Sequence, residues 1–132
     1  MIQYAYTILY VAQVAETITF YENAFGFERK FMTPEADYGE IHTGTTTIAF
    51  ASLELAHSNL KAGFIHSDLQ QKPFGIELGF TTEQPAAIIA QAKKFGAIEV
   101  EPLRTKPWGQ QVAYLRDCNG FLIEICTPMQ GA

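Results

Sequence analysis

Apolar positions along the chain switch twice from a strand-like spacing to a helical one. Residues 4–11 form a β-rich run in which Thr7, Leu9 and Val11 share one face and Tyr6 and Tyr10 the other. Val14, Ile18, Tyr21 and Phe25 follow at the spacing of one helix face, and Gly26 stands where a left-handed glycine ends a helix. The same order resumes further on. Residues 74–82 read as a strand, then Pro85 opens a helical stretch, as proline can in a first turn. That stretch runs through Ile88, Ala92 and Phe95 to Gly96, which places Phe95-Gly96 70 residues after Phe25-Gly26.

Each half continues in short strands. The first offers 28–32, 38–43 and 46–52, with Gly44 in the last turn; the second offers 98–103, 111–116 and 121–126. Asn119-Gly120 is the strongest short hairpin signal in the chain. The closing strands align Ile48-Ala49-Phe50 with Ile123-Glu124-Ile125 at an offset of 75, and a small insertion around Lys106-Pro107-Trp108-Gly109 accounts for the difference. The pattern predicts an α+β fold in one domain of 132 residues: two tandem βαβββ modules, 2–52 and 74–128, forming a curved mixed sheet around a concave cleft. Residues 53–73 read as a linker with one short helix. A βαβββ half has a helix on only one face of its sheet, so two halves gain by setting their bare faces around a shared site.

Composition narrows the functions. A hydrophobic fraction of 48% with 17% charged residues describes a globular chain, and 17 aromatic residues (Phe 10, Tyr 6, Trp 1) must fill a core, line a pocket or cover an interface. A net charge of −5 and the lack of any Lys/Arg run argue against nucleic acid. No apolar stretch approaches the roughly 20 residues of a membrane span, so no membrane partner is expected. Met1-Ile2-Gln3-Tyr4 lacks the basic start of a signal peptide, and Cys118 and Cys126 form no metal-type pair. The expectation is a cytoplasmic protein with two reduced thiols.

Two stretches carry a family resemblance. Ile8-Leu9-Tyr10-Val11 leads to Phe20-Tyr21 and Phe25-Gly26-Phe27; later, residues 112–115 lead into Arg116-Asp117-Cys118-Asn119-Gly120-Phe121-Leu122-Ile123-Glu124-Ile125. The chain resembles the glyoxalase / bleomycin-resistance / extradiol-dioxygenase (vicinal oxygen chelate) superfamily, whose closing pattern RDPxGxxIEL it follows, with Cys118 in place of the proline. In metal-bearing members, the resemblance implies, His and Glu side chains from equivalent strands of both repeats supply four ligands. Here Glu124 holds the last-strand position, but its repeat partner is Ala49, and Tyr6 stands at the first-strand position. The fourth position falls on Ile76 by gapless alignment. Strand alternation favours Glu77 instead, with Ile76, Leu78 and Phe80 turned to the helix. Two carboxylates, an alanine and a tyrosine are too few donors for a tight site, so no bound metal and no cofactor are expected. His42 on a strand, and His57 and His66 in the linker, read as solvated or hydrogen-bonded residues.

The residues expected to contact a ligand are Tyr6, Tyr10, Ala49, Glu77, Trp108, Gln110, Tyr114 and Glu124. Trp108 either stacks on a planar ligand, with Gln110 adding a directional hydrogen bond, or packs against a partner subunit or plugs the cleft. Should Glu77 and Glu124 approach, like charge makes one of them hold a proton and equips the pair for acid–base work. The leading expectation, by resemblance to bleomycin-resistance proteins, is a metal-free homodimer that holds a small planar or aromatic molecule in its cleft. The alternative is a metal-dependent lyase, isomerase or dioxygenase of the same fold, with Glu77 and Glu124 as its catalytic side chains. A third is a regulatory module whose cleft its own side chains fill.

Overall fold

The computed structural model describes residues 1–129. The chain falls into two compact units, Met1–His66 and Ser67 onward. Eight strands divide between two four-stranded sheets of the same topology, which gives the α+β fold of two tandem βαβββ modules.

In the first unit β1 (Thr7–Val11) leads to α1 (Val14–Phe25), then to β2 (Glu28–Met32), β3 (Tyr38–His42) and β4 (Thr47–Ser52). The sheet order is β1-β4-β3-β2, with β1 parallel to β4 and the remaining pairs antiparallel. Helix α1 buries Val14, Thr17, Ile18, Phe20, Tyr21 and Ala24. Leu9, Val11, Ile41, Ile48 and Phe50 meet this face, and the Tyr21 and Phe50 rings sit 5.2 Å apart. Gly39 lets the helix approach: a Cβ there would lie 2.5 Å from Ile18 Cδ1. Gly26, at φ 73°, closes α1 with its N–H on the Glu22 carbonyl. The helix expected in the linker is α2 (Leu53–Asn59), whose N-terminus is capped where Ser52 Oγ accepts from the Leu55 N–H.

In the second unit β5 (Glu77–Thr81) leads to α3 (Pro85–Lys94), β6 (Ile98–Thr105), β7 (Gln111–Arg116) and β8 (Leu122–Cys126). The order β5-β8-β7-β6 repeats the first sheet strand for strand. Pro85, Ile89 and Ala92 of α3 are buried, as are Ala113, Leu115, Ile123 and Ile125 of the sheet.

Several strand ends differ from the expected ones, and pairing explains each. β1 starts at Thr7 and β5 at Glu77, where register with their parallel partners begins, opposite Ile48 and Leu122. Ile76 therefore lies outside the strand and is 71% exposed; it does not turn to the helix with Leu78 and Phe80. β6 runs on to Thr105, which pairs with Gln111, and carries a second register shift between Glu101 and Arg104. The extra residues expected near Lys106–Gly109 are thus taken up by a longer β6–β7 ribbon.

Candidate functional site

Register brings two acidic residues of the second unit, Glu77 and Glu124, onto one face. Glu124 on β8 lies opposite Gly79 on β5 and Tyr114 on β7. Side chains two residues apart on a strand share a face, so Glu77, Cys126, Val112 and Arg116 join Glu124 there, on the side away from the core residues Ile123 and Ile125. The same register settles the choice between Ile76 and Glu77. Ile8 faces Ala49 as Gly79 faces Glu124, so Tyr6, two residues before Ile8, is the counterpart of Glu77.

The cluster is tied together by protons. Tyr114 donates its hydroxyl to Glu124 Oε1 at 3.0 Å. Glu77, two residues before Gly79 on β5, lies on the same face as Glu124, close enough for the two carboxyls to act on each other. Loss of surrounding water, then the charge of Glu124 and the hydrogen bond to it, raise Glu77 above the ordinary glutamate range. The bond to Glu124, followed by partial burial and the two carboxylates, pushes the Tyr114 phenol up to about 12. Burial and then Glu124 push the Cys126 thiol up to about 11, so this cysteine is a poor nucleophile at neutral pH. The arrangement sets two interacting carboxyls and a tyrosine hydroxyl side by side on one face.

Trp108 and Gln110 occupy the β6–β7 turn, where the Lys106 N–H reaches the Gln110 carbonyl and Gly109 adopts φ 93°. The indole N–H donates to Gln110 Oε1 at 2.9 Å, and Gln110 Nε2 donates to the Thr127 carbonyl at 2.9 Å. Both ends of the Gln110 amide are therefore engaged within the protein, one by the tryptophan and one by Thr127. The indole is 63% exposed and borders an open hollow of about 580 Å³, whose lining includes Glu83, Gln111, Thr127 and Met129. This hollow lies at the Cys126 end of the sheet.

The first unit places Tyr6, Tyr10 and Ala49 on the sheet face away from α1. Tyr10 packs edge-on against Phe64 at 4.8 Å, while Tyr6 is 45% exposed. Beside Ala49, on β3, stands an acid that sequence reasoning missed: Glu40, only 8% exposed. It accepts from the Tyr38 hydroxyl at 2.7 Å and pairs with Lys30 Nζ at 3.4 Å. Burial and then Glu40 raise the Tyr38 phenol. Both units thus carry a tyrosine donating to a glutamate on the open face. Strand alternation from Ile41, a core position, would have revealed Glu40.

The Arg116-Asp117 motif holds a turn. Asp117 is fully buried, and its Oδ1 accepts from the Asn119 and Phe121 N–H groups at 2.8 and 2.9 Å. Arg116 donates to the carbonyls of Gly120 and Asp68, each at 2.9 Å. The predicted Asn119-Gly120 hairpin forms as a longer turn in which Asp117 N–H meets the Phe121 carbonyl and Gly120 takes φ 90°.

Among the described residues no three His, Cys, Asp or Glu side chains group as metal ligands. In the second unit Glu77 and Glu124 stand together, Glu124 already accepting from Tyr114, and among the described residues no imidazole joins them there, so this donor set does not fit the family's metal. Among the described residues, too, no helix is long and apolar enough to cross a membrane.

A four-stranded β1-β4-β3-β2 module is repeated in tandem, and the last strand of the second copy carries Glu124 where the first carries Ala49. The chain belongs to the Glyoxalase/Bleomycin resistance protein/Dioxygenase superfamily, whose model matches residues 3–125. Solved structures share the fold. A glyoxalase-related enzyme from Fulvimarina pelagi aligns with a TM-score of 0.81 at 17% identity, covering 97% of this chain and 89% of that one. A hypothetical protein from S. aureus aligns at 0.78 and 21% identity, covering 97% and 95%. A glyoxalase/bleomycin resistance protein/dioxygenase family enzyme from Burkholderia phytofirmans PsJN aligns at 0.76 and 19%, covering 93% and 96%. No curated protein matches the sequence.

Proposed function

We propose that the protein binds a small planar or aromatic molecule without a metal and acts as a homodimer whose cleft holds that ligand. The observation that carries this reading is the set Glu77, Glu124 and Tyr114 on one sheet face, with the Tyr114 hydroxyl donating to Glu124. It presents donor and acceptor atoms at fixed positions, while the exposed Trp108 ring at the end of the same sheet supplies a flat apolar surface. Nothing in this arrangement calls for an activated water, so binding alone uses all of it.

Trp108 is the only tryptophan, which makes it a direct reporter. Planar heteroaromatic compounds are expected to quench its fluorescence and to raise the melting temperature together. A ligand at a hundred times its Kd adds about 2.7 kcal/mol of stability. Glu124→Gln is expected to weaken such binding by about tenfold, near 1.4 kcal/mol. A broad panel that moves neither signal at millimolar concentration would end the reading.

One observation favours a second reading, a lyase or isomerase in which Glu77 and Glu124 act as acid and base. A carboxyl raised above its ordinary range by burial and by Glu124 is better suited to hold and transfer a proton. In that case Glu77→Gln abolishes turnover while ligand binding persists.

A further inference from the structure

The two histidines of residues 53–73 are not separate solvated side chains. His57 lies in the last turn of α2, and a turn closed by the Gly63 N–H on the Leu60 carbonyl brings the chain back past it. The result sets His57 Nε2 and His66 Nε2 2.7 Å apart on the surface of the first unit. Phe64 holds both rings. It stacks on His57 at 4.3 Å with an interplanar angle of 24° and packs against His66 at 5.1 Å, and is itself braced by Tyr10.

We propose that His57 and His66 form a surface site for a divalent transition-metal ion such as Cu2+, Ni2+ or Zn2+, with water in the remaining coordination positions. Of the two facing Nε2 atoms one donates its N–H to the lone pair of the other. With both rings in the Nδ1–H tautomer the proton leaves the gap for Nδ1, and both Nε2 lone pairs are available to one ion. With metal–nitrogen bonds of about 2.0–2.1 Å, two imidazoles bound side by side to one ion stand about 2.9–3.4 Å apart. The exposed rings therefore need to spread by a few tenths of an ångström and to rotate from their head-on arrangement, with centroids 5.0 Å apart, so that both nitrogens aim at the ion. Imidazole suits late first-row metals, whereas the oxygen set of Glu77 and Glu124 suits harder ions. Phe64 lowers the ordering cost by fixing ring positions before the ion arrives. The site lies wholly in the first unit and does not rest on the reading of Glu77 and Glu124.

The test is calorimetric titration of tag-free protein with Zn2+ in a non-coordinating buffer at neutral pH. One ion per chain is expected. His57→Gln and His66→Gln are each expected to weaken binding at least tenfold, since a single imidazole loses the chelate, and His42→Gln to leave it unchanged. Electron paramagnetic resonance of the Cu2+ form is expected to show nitrogen coordination that either substitution removes. His66→Gln leaves the Phe64–His57 stack in place, so its effect is not a folding effect; a melting temperature equal to the wild type's verifies this. No binding at millimolar Zn2+, or binding that survives either of the two substitutions, overturns the proposal.

Discussion

Glu77 illustrates how one residue's surroundings set a pH dependence. Its carboxyl is raised in the fold by partial burial and by Glu124. The folded state therefore holds this proton where the unfolded chain has released it, so the associated stability is present at acid pH and is lost as pH rises through the folded value. Melting temperatures of Glu77→Gln and wild type are expected to diverge as pH rises above the ordinary glutamate range, with the wild type falling relative to the variant. Parallel curves would refute the raised Glu77 carboxyl. Asp117 shows a structural use of charge. Asp117→Ala strands two N–H groups at a buried turn and is expected to cost about 2–4 kcal/mol in urea unfolding. Alternation around Leu78 and Phe80 was enough to place Glu77 on the open face. The mutual bond of Trp108 and Gln110 was not legible, because it depends on the fold of one five-residue turn. Nor was the meeting of His57 and His66, nine residues apart with no periodic relation between them.

Elements were more legible than their contacts. Both long helices end at the expected Phe-Gly pairs, because apolar spacing and a left-handed glycine act locally. Strand starts were less legible: residues 4–6 and 74–76 have strand-like composition, yet no partner strand extends beside them. Glycines mark where elements touch. Gly39→Ala would drive a methyl into the buried Ile18 on α1 and is expected to cost about 1–3 kcal/mol. Gly120→Ala is expected to cost more. Its Cβ would meet the Asp68 carbonyl oxygen at 2.6 Å and the Arg116 guanidinium at 2.8 Å, from a backbone at φ 90°. Chemical denaturation of the two variants should rank them in that order.

At the scale of the molecule, self-association is the expectation to weigh. β2 and β6 end their sheets, and Phe31, Ile98 and Val100 on them are each more than 40% exposed. Apolar edge strands of this kind invite pairing. Light scattering after size exclusion is expected to give about twice the 14.7 kDa chain mass, and a mass that stays at the single-chain value at high concentration contradicts the homodimer. The tandem modules themselves were legible from the repeated order of spacing and breakers, whereas the division of the strands into two hydrogen-bonded sheets depends on pairings that lie far apart in the chain. Within each module the opening strand lies directly beside the closing one, β1 on β4 and β5 on β8. Because the two strands run parallel, entry and exit lie at opposite ends of an adjacent pair. A gene segment encoding such a piece can be copied and joined head to tail without rewiring any internal connection.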